Sequence, residues 1–504
     1  MLVVKLSHAR YEYDVNSLVK AFYPEKTVKV LTPETLPEKR MELEDQVKID
    51  IQLSEWGAEV KIMDRIFSWK PDQETQADVA LLEDEETEGQ EEDVFYTKLY
   101  KAAFKRFFYR CLQDETGKSL PWGNLTGIRP TKIAMGLLEQ GCSGQAVLDF
   151  MEQTHYVSPE KAKLALEIAE RERQILSGVH YENGYSLYIG IPFCPTTCLY
   201  CSFTSYPVSA YRKKVDRYLD ALIKEMHAVA EVYRGKVLDS VYIGGGTPTT
   251  LEAWQLDRLL EALKNTFDFS TVQEFTVEAG RADSITREKL EVLREYGVTR
   301  ISINPQTMKQ ETLQLIGRRH TVEQVREAYA LARDVGFENI NMDIILGLPR
   351  ESVKDVTNTI EDIIGMAPDS LTVHSLAVKR ASKLGSWIQE NGIEALQNTE
   401  ETMEIAARGA GRMNLYPYYL YRQKNMSGNF ENVGYAAEGK YGLYNILIME
   451  EKQTIVALGA GSITKVVFPD GRIERCNNIK DVTLYIEKID EMIEKKRTLL
   501  EEEE

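Results

Sequence analysis

The sequence predicts an α/β protein: a partial (β/α)6 barrel over residues 183–378, an α+β N-terminal extension, and a mixed α/β C-terminal domain over 379–504. Three observations carry this. From Tyr185 onward short apolar strands alternate with longer helical stretches, six times over, the pattern of parallel strands joined by right-handed crossovers. The strands end in glycine, proline or polar residues (Gly244-Gly245-Gly246, Glu278, Asn304-Pro305-Gln306, Gly347-Leu348-Pro349), where parallel α/β folds gather their active sites. Outside this region the pattern changes: residues 1–65 are rich in short β runs, 66–182 are mainly helical, and the stretch after 379 is punctuated by glycine and turn signals.

Taken in order, strands are expected at 3–6, 28–31, 47–53 and 58–63, with a helix at 17–22, which makes a small α+β module of residues 1–65. Residues 83–93 form an acidic block that reads as a solvated linker or a docking surface. Tyr96, Tyr100, Phe104 and Phe107/Phe108 then recur at helical spacing among lysines and arginines, giving an amphipathic helix over 94–112. Its aromatic face suits core packing with snorkelling lysines; RNA stacking is the rival reading. Helices follow at 132–140 and 159–177, the latter started by Ser158-Pro159.

The barrel strands are expected at 187–191, 240–243, 274–277, 300–303, 340–346 and 370–376, with helices at 211–232, 254–265, 285–296, 322–335 and 353–366 between them. Beyond the barrel, strands are expected at 416–421, 446–449 and 454–458, a hairpin turn at Pro469-Asp470-Gly471, and a terminal helix over 482–500.

Composition bounds the function. The chain has 504 residues and a net charge of −18, so long-range attraction to nucleic acid or anionic lipid has the wrong sign. No apolar run approaches the ~18 residues of a membrane span, and residues 1–8 read as a strand rather than a signal peptide. Six cysteines are too few for a disulfide scaffold, and three are clustered, which favours a reducing cytosol and a cytoplasmic protein. Cys111, Cys142 and Cys476 are scattered and read as small buried hydrophobes.

The chemistry concentrates in Tyr188-Ile189-Gly190-Ile191-Pro192-Phe193-Cys194-Pro195-Thr196-Thr197-Cys198-Leu199-Tyr200-Cys201. Cys194, Cys198 and Cys201 are spaced C-x3-C-x2-C directly after the first barrel strand. Structural zinc prefers four protein ligands in paired spacings, and an electron-transfer cluster normally takes four cysteines. Three thiolates on one loop suit a [4Fe–4S] cluster whose fourth iron stays open. The amino and carboxylate groups of S-adenosylmethionine chelate such an iron. Gly244-Gly245-Gly246-Thr247-Pro248-Thr249 at the end of the second strand suits that ligand, because glycines let backbone approach closely and threonines add donors.

The cysteine loop, Gly244 to Thr249, Gln306 and Asp343-Ile344-Ile345-Leu346-Gly347-Leu348-Pro349 together resemble the oxygen-independent coproporphyrinogen III oxidase group of radical S-adenosylmethionine enzymes, which includes HemN, the haem chaperone HemW and the HemZ branch. The resemblance covers about 185–470. Cys-Leu-Tyr-Cys-Ser-Phe-Thr-Ser-Tyr-Pro and the extension carrying Pro121-Trp122-Gly123-Asn124-Leu125-Thr126-Gly127-Ile128-Arg129-Pro130 are most similar to the HemZ-type coproporphyrinogen dehydrogenases.

The resemblance implies a [4Fe–4S] cluster on Cys194, Cys198 and Cys201. It implies an S-adenosylmethionine site with Tyr188 near the methionyl end, Gly245, Gly246 and Thr247 at the amino group, and Glu278, Gln306, Arg318 and Asp343 along the rest. It also implies cleavage of S-adenosylmethionine to a carbon radical, a porphyrinogen or haem substrate, and a low-potential donor of flavodoxin or ferredoxin type. Glu278 and Asp343 have a plain alternative as strand-end polar residues, Tyr200 as packing, and Arg318 as a surface residue, since Arg319 is its equal neighbour. Lys379, Arg380, Lys383 and Arg422 are candidate partners for substrate carboxylates. Two positions depart from the pattern: Phe203 stands where HemN has a fourth cysteine, and Gly190 where HemN and HemW have a histidine. Both spare the cluster and bear on the substrate.

Overall fold

The computed structural model describes residues 1–54, 56–71, 98–127, 129–379, 382–422 and 430–503. The acidic block at 83–93, Tyr96 and Arg380 lie outside them. The chain divides into two compact units, Met1–Leu166 and Glu167–Glu504.

The first unit holds a five-stranded sheet of β1 (Leu2–Leu6), β2 (Val28–Leu31), β3 (Val47–Ser54), β4 (Gly57–Ile62) and β5 (Arg65–Trp69), in the order β2-β1-β3-β4-β5. β1 pairs in parallel with β2 and β3, and the β3–β5 meander is antiparallel. Alternation sets the buried face: Leu2, Val4, Leu6, Ile49, Ile51, Val60 and Ile62 point into one core. The helix Glu12–Phe22 covers it with Val15, Leu18, Val19 and Phe22. The aromatic–basic helix, observed as Lys98–Thr116, adds Tyr100, Phe104, Phe108 and Leu112 to the same core. Its aromatic face is therefore packed inside. β5 begins at Arg65, so the sheet runs past residue 65.

The second unit is organised by an eleven-stranded sheet. Its centre is the partial (β/α)6 barrel: β6 (Gly184–Ile191), β9 (Val237–Gly245), β10 (Glu274–Gly280), β11 (Arg300–Ile303), β12 (Ile340–Leu346) and β13 (Ser370–Ser375), each parallel to the next. Two short strands, β7 (Phe193–Cys194) and β8 (Tyr206–Pro207), pair outside this sheet. Crossover helices include Val215–Val232, Ala253–Thr266, Arg287–Glu295, Val322–Asp334 and Val353–Met366. Capping boxes at Thr321/Gln324 and Ser352/Asp355 fix where two of them start.

The strands after residue 379 do not form a sheet of their own. β14 (Tyr416–Tyr421) and β15 (Asn432–Ala436) extend the β13 edge. β16 (Thr454–Leu458), β17 (Ile463–Val467) and β18 (Ile473–Asn477) extend the β6 edge, with β16 parallel to β6. Both open edges of the half-barrel are thereby paired.

Residues 446–449, expected as a strand, lie in the helix Leu443–Glu450. An apolar run of that length has no period that separates buried strand from buried helix. Tertiary structure decides: the carboxylate of Glu274 on β10 accepts the N–H groups of Leu443 (2.6 Å) and Tyr444 (3.3 Å), which caps a helix start. The terminal helix is broken at Lys488 into Val482–Glu487 and Ile489–Glu501. No helix among the described residues is long and apolar enough to cross a membrane.

Candidate active site

The cysteine loop is closed at its base by the β7–β8 bridge, Phe193 to Tyr206 and Cys194 to Pro207. Its crest is held from two sides. Leu199 N donates to Ile316 O (3.0 Å) and Thr196 Oγ1 to Gly317 O (2.8 Å). Arg281, buried just beyond β10, donates to Thr196 Oγ1 (2.6 Å) and Thr196 O (3.2 Å) while Asp283 grips its other edge at 2.9 and 2.7 Å. Thr247 Oγ1 lies 3.5 Å from Cys194 Sγ. Burial pushes the Cys194 thiol up to about 11, against the pull of Thr247 and Arg281. Bound iron would hold it as the thiolate.

The glycine triplet lies alongside. Gly246 N donates to Ile191 O (2.8 Å) and Thr247 N to Phe193 O (2.7 Å). A Cβ on Gly246 would sit 2.5 Å from Phe193 O, a backbone atom that cannot yield. Gly245 has φ +104° and faces the Tyr188 hydroxyl. Replacing Gly246 with alanine is expected to shift this turn at a cost of about 1–3 kcal/mol. S-adenosylmethionine should then bind about tenfold more weakly. Equilibrium dialysis with unchanged iron content checks this; unaltered affinity contradicts it.

Gln306 adopts φ 68° and bridges to Ile344, with its N donating to Asp343 O (2.9 Å) and its O accepting from Ile345 N (2.9 Å). The left-handed backbone is strained for a non-glycine residue, and its Oε1 is buried without a partner. Arg318 is buried while Arg319 is exposed, which resolves their register. Arg318 donates to Asn304 O and to Tyr200 Oη (3.2 Å), and faces Cys198; its Nε is buried without a partner. Asp343 accepts from Asn341 Nδ2 (2.7 Å) and lies 3.6 Å from His374 Nε2. Burial works against its charge, but these donors and Arg300 hold its carboxyl below the ordinary range. Glu278 accepts from the Tyr242 hydroxyl, and burial pushes its carboxyl up to about 7.

A cavity of about 770 Å³ opens at the carboxyl ends of the barrel strands. Tyr188, Gly245, Gly246, Thr247, Glu278, Gln306, Arg318, Asp343 and the three cysteines meet there. Among the described residues no group of three histidine, cysteine or acidic side chains is gathered for a single metal ion. A [4Fe–4S] cube takes each thiolate on a different iron, so its ligands need not converge. The three free cysteines, the unpartnered Gln306 Oε1 and Arg318 Nε, and the Gly246 cradle fit a cluster with a chelating polar ligand. The ligands would be Cys194, Cys198 and Cys201.

Several lining residues were not singled out from sequence: Tyr242, Arg300, His374 and Tyr444. The signal for most of them is strand alternation. Tyr242 precedes Gly244 by two, Arg300, Ser302 and Asn304 alternate, and His374 follows Thr372 by two; in a parallel strand such residues share the inward face. Gly190 also has a local reason. A Cβ there would lie 3.2 Å from Leu458 O, where β16 packs against β6.

Residues 188–363 match the radical SAM superfamily. The chain is 40% identical over 410 residues, 80% of this chain and 82% of the relative, to the oxygen-independent coproporphyrinogen-III oxidase-like protein HemZ of Bacillus subtilis (strain 168). It is 33% identical over 243 residues to the heme chaperone HemW of Bacillus subtilis (strain 168), 48% of this chain and 63% of that one. It is 31% identical over 236 residues to the oxygen-independent coproporphyrinogen III oxidase of Escherichia coli (strain K12), 46% of this chain and 51% of that one. With its cysteine loop, its cavity and this likeness along most of its length, the chain belongs to the HemZ branch of the HemN/HemW group of radical S-adenosylmethionine proteins, whose cofactors are a [4Fe–4S] cluster and S-adenosylmethionine.

Proposed function

We propose that the protein oxidatively decarboxylates two propionate side chains of coproporphyrinogen III, giving protoporphyrinogen IX, in the cytoplasm and with electrons from a flavodoxin- or ferredoxin-type donor. The observation that supports this reading is Lys379. It lines the cavity with its Nζ 5.6 Å from the ring centroid of Phe203, and burial draws its pKa down. A half-desolvated ammonium gains from an anionic partner, and a propionate carboxylate of the tetrapyrrole supplies one while one of its flat pyrrole rings lies on Phe203. Lys480 lines the same cavity. Of the other cations expected from sequence, Lys383 is exposed, Arg422 is buried away from the cavity lining, and Arg380 lies outside the described residues.

When bound, the cluster and S-adenosylmethionine supply a radical that takes a hydrogen atom from the substrate. The chain's own residues do the rest: Lys379 orients the propionate, Phe203 supports the ring, and the barrel wall excludes water from the reacting carbon. Each propionate then loses carbon dioxide and passes one electron to a one-electron acceptor, such as the oxidised form of the flavodoxin- or ferredoxin-type protein, to leave a vinyl group.

Anaerobic turnover of coproporphyrinogen III by the reconstituted protein should yield vinyl products. Lys379→Met should raise KM about tenfold, the loss of one charge-assisted contact. Deoxyadenosine without vinyl product would sink this reading. The second reading is haem binding, or radical attack on haem. Phe203 favours it: 71% exposed at the mouth, it offers an inert aromatic face where HemN has a cysteine. Tight haem binding without vinyl product supports the chaperone form, and bleaching of the haem band on turnover supports the reactive one.

A further inference from the structure

Three tyrosine rings from three elements lie nearly parallel on one wall of the cavity. Tyr242 of β9 stacks on Tyr444 of the helix Leu443–Glu450 at 4.4 Å between centroids and 21° between planes. Tyr188 of β6 lies 6.2 Å from Tyr242 and 6.0 Å from Tyr444, at 16° and 22°. The stack on Tyr444, with Tyr188 alongside, restrains the plane of Tyr242, and its hydroxyl donates to Glu278 Oε1. Gly244 makes room for this pair: a Cβ there would lie 2.8 Å from Tyr242 Cε1 and 3.5 Å from the Glu278 carboxyl carbon. The first glycine of the triplet thus serves the tyrosine and the carboxylate, while Gly246 serves the cysteine loop.

We propose that Tyr242 is a positioning residue for the cofactor site: its hydroxyl aims the Glu278 carboxylate into the cavity, so that it accepts hydrogen bonds from the hydroxyl-bearing nucleoside of S-adenosylmethionine. This rests on the assignment of Glu278 to that site.

The groups facing Glu278 are Tyr242 on β9, Asp343 on β12, Arg300 on β11 and His374 on β13, with Tyr188 and Tyr444 beside it. Burial is the largest influence and raises its pKa to about 7; the Tyr242 hydrogen bond is the largest one opposing it. Asp343 raises it further, and Arg300 and His374 lower it. A carboxyl group is an acceptor at both oxygens only when ionised. Affinity for a donor-bearing ligand should therefore rise with pH through this range. Without the Tyr242 hydroxyl the carboxyl holds its proton to a higher pH.

Tyr242→Phe keeps the ring and the stack and removes only the hydroxyl. The experiment measures S-adenosylmethionine binding by equilibrium dialysis from about pH 6 to pH 9, on the full chain with its cluster reconstituted and oxidised, so that no turnover occurs. A one-unit upward displacement of the pH profile, with about fivefold weaker binding near pH 7, about tenfold near pH 6 and near-recovery at about pH 9, is the expected result. His374, Asp343 and Arg300 are present in both proteins, so their own response cancels. An unchanged profile overturns the proposal, as does weakening by one constant factor at every pH. Glu278→Gln separates the two layers. It should bind weakly and lose the rise through about pH 7. Wild-type binding by Glu278→Gln would overturn the assignment of Glu278 and the proposal with it. Weak binding by Glu278→Gln alongside unaltered Tyr242→Phe would overturn the role of Tyr242 alone.

Discussion

With Cys198 replaced by alanine, the protein is expected to lose its cluster: iron and sulfide contents fall several-fold and the broad visible absorbance of a thiolate-bound cube disappears. The size of the effect follows from the ligand count. Three thiolates would hold three irons and leave the fourth position to S-adenosylmethionine, so no ligand would be in reserve. Cys476, the other cysteine of the same unit, is buried in β18 and pairs with Thr464 across the sheet, so it cannot move into the vacancy. Cys198 is itself buried, and its backbone fixes the turn by accepting from Cys201 N (3.2 Å). Thr196→Ala tests the frame instead of the ligand. It removes the hydroxyl that accepts from Arg281 and donates to Gly317 O, leaves the Arg281 contact to Thr196 O, and should weaken cluster retention only in part. An iron content in Cys198→Ala equal to wild type would refute the assignment.

The second large effect is expected far from the cysteines. Glu225, fully buried on the helix Val215–Val232, accepts from Gly459 N (2.9 Å), Tyr485 Oη (2.6 Å), Asn478 Nδ2 (2.8 Å) and the buried Lys496 ammonium. Lys496 also donates to Ala457 O. Removing one partner of a buried ion pair leaves a charge without compensation, so Lys496→Ala should destabilise by about 3–5 kcal/mol. Replacing both as Glu225→Gln with Lys496→Met should recover part of this, because the charge goes with its partner. Urea unfolding of the two variants decides the matter; a single variant as stable as the double would contradict it.

The loss should also reach the site. The loop that Glu225 holds packs against the first barrel strand and the cysteine loop. Ala460 N donates to the Tyr218 hydroxyl (3.0 Å), which donates to Gly190 O (2.6 Å), and a Cβ on Gly461 would meet Thr204 Oγ1 at 2.7 Å. The terminal helix thus anchors a loop that buttresses the cluster.

Much of this protein is written in local sequence. Short apolar runs with glycine or polar ends, alternating with longer helical stretches, place the six barrel strands, because a strand buried on both faces between crossover helices is apolar throughout and short. C-x3-C-x2-C declares the cluster, because a loop that short can present three thiolates to one cube and little else. Aromatics at helical spacing declare the helix Lys98–Thr116, although not whether they meet protein or ligand; burial against the N-terminal sheet answers that.

What the sequence alone determined is therefore the parallel barrel, the cysteine loop and the glycine turn, all set by short-range spacing. Only the tertiary structure decided which partners meet across the fold. Arg318 and Arg319 are equal in sequence, but only Arg318 is buried facing Cys198. Residues 446–449 are equally apolar as strand or helix until the Glu274 carboxylate, remote in sequence, caps Leu443 and Tyr444. The strands after 379 could have formed their own sheet; the two open edges of the half-barrel take them instead, because unpaired strand edges leave backbone donors and acceptors unsatisfied. These choices depend on burial and long-range hydrogen bonds, which no local pattern of residues carries.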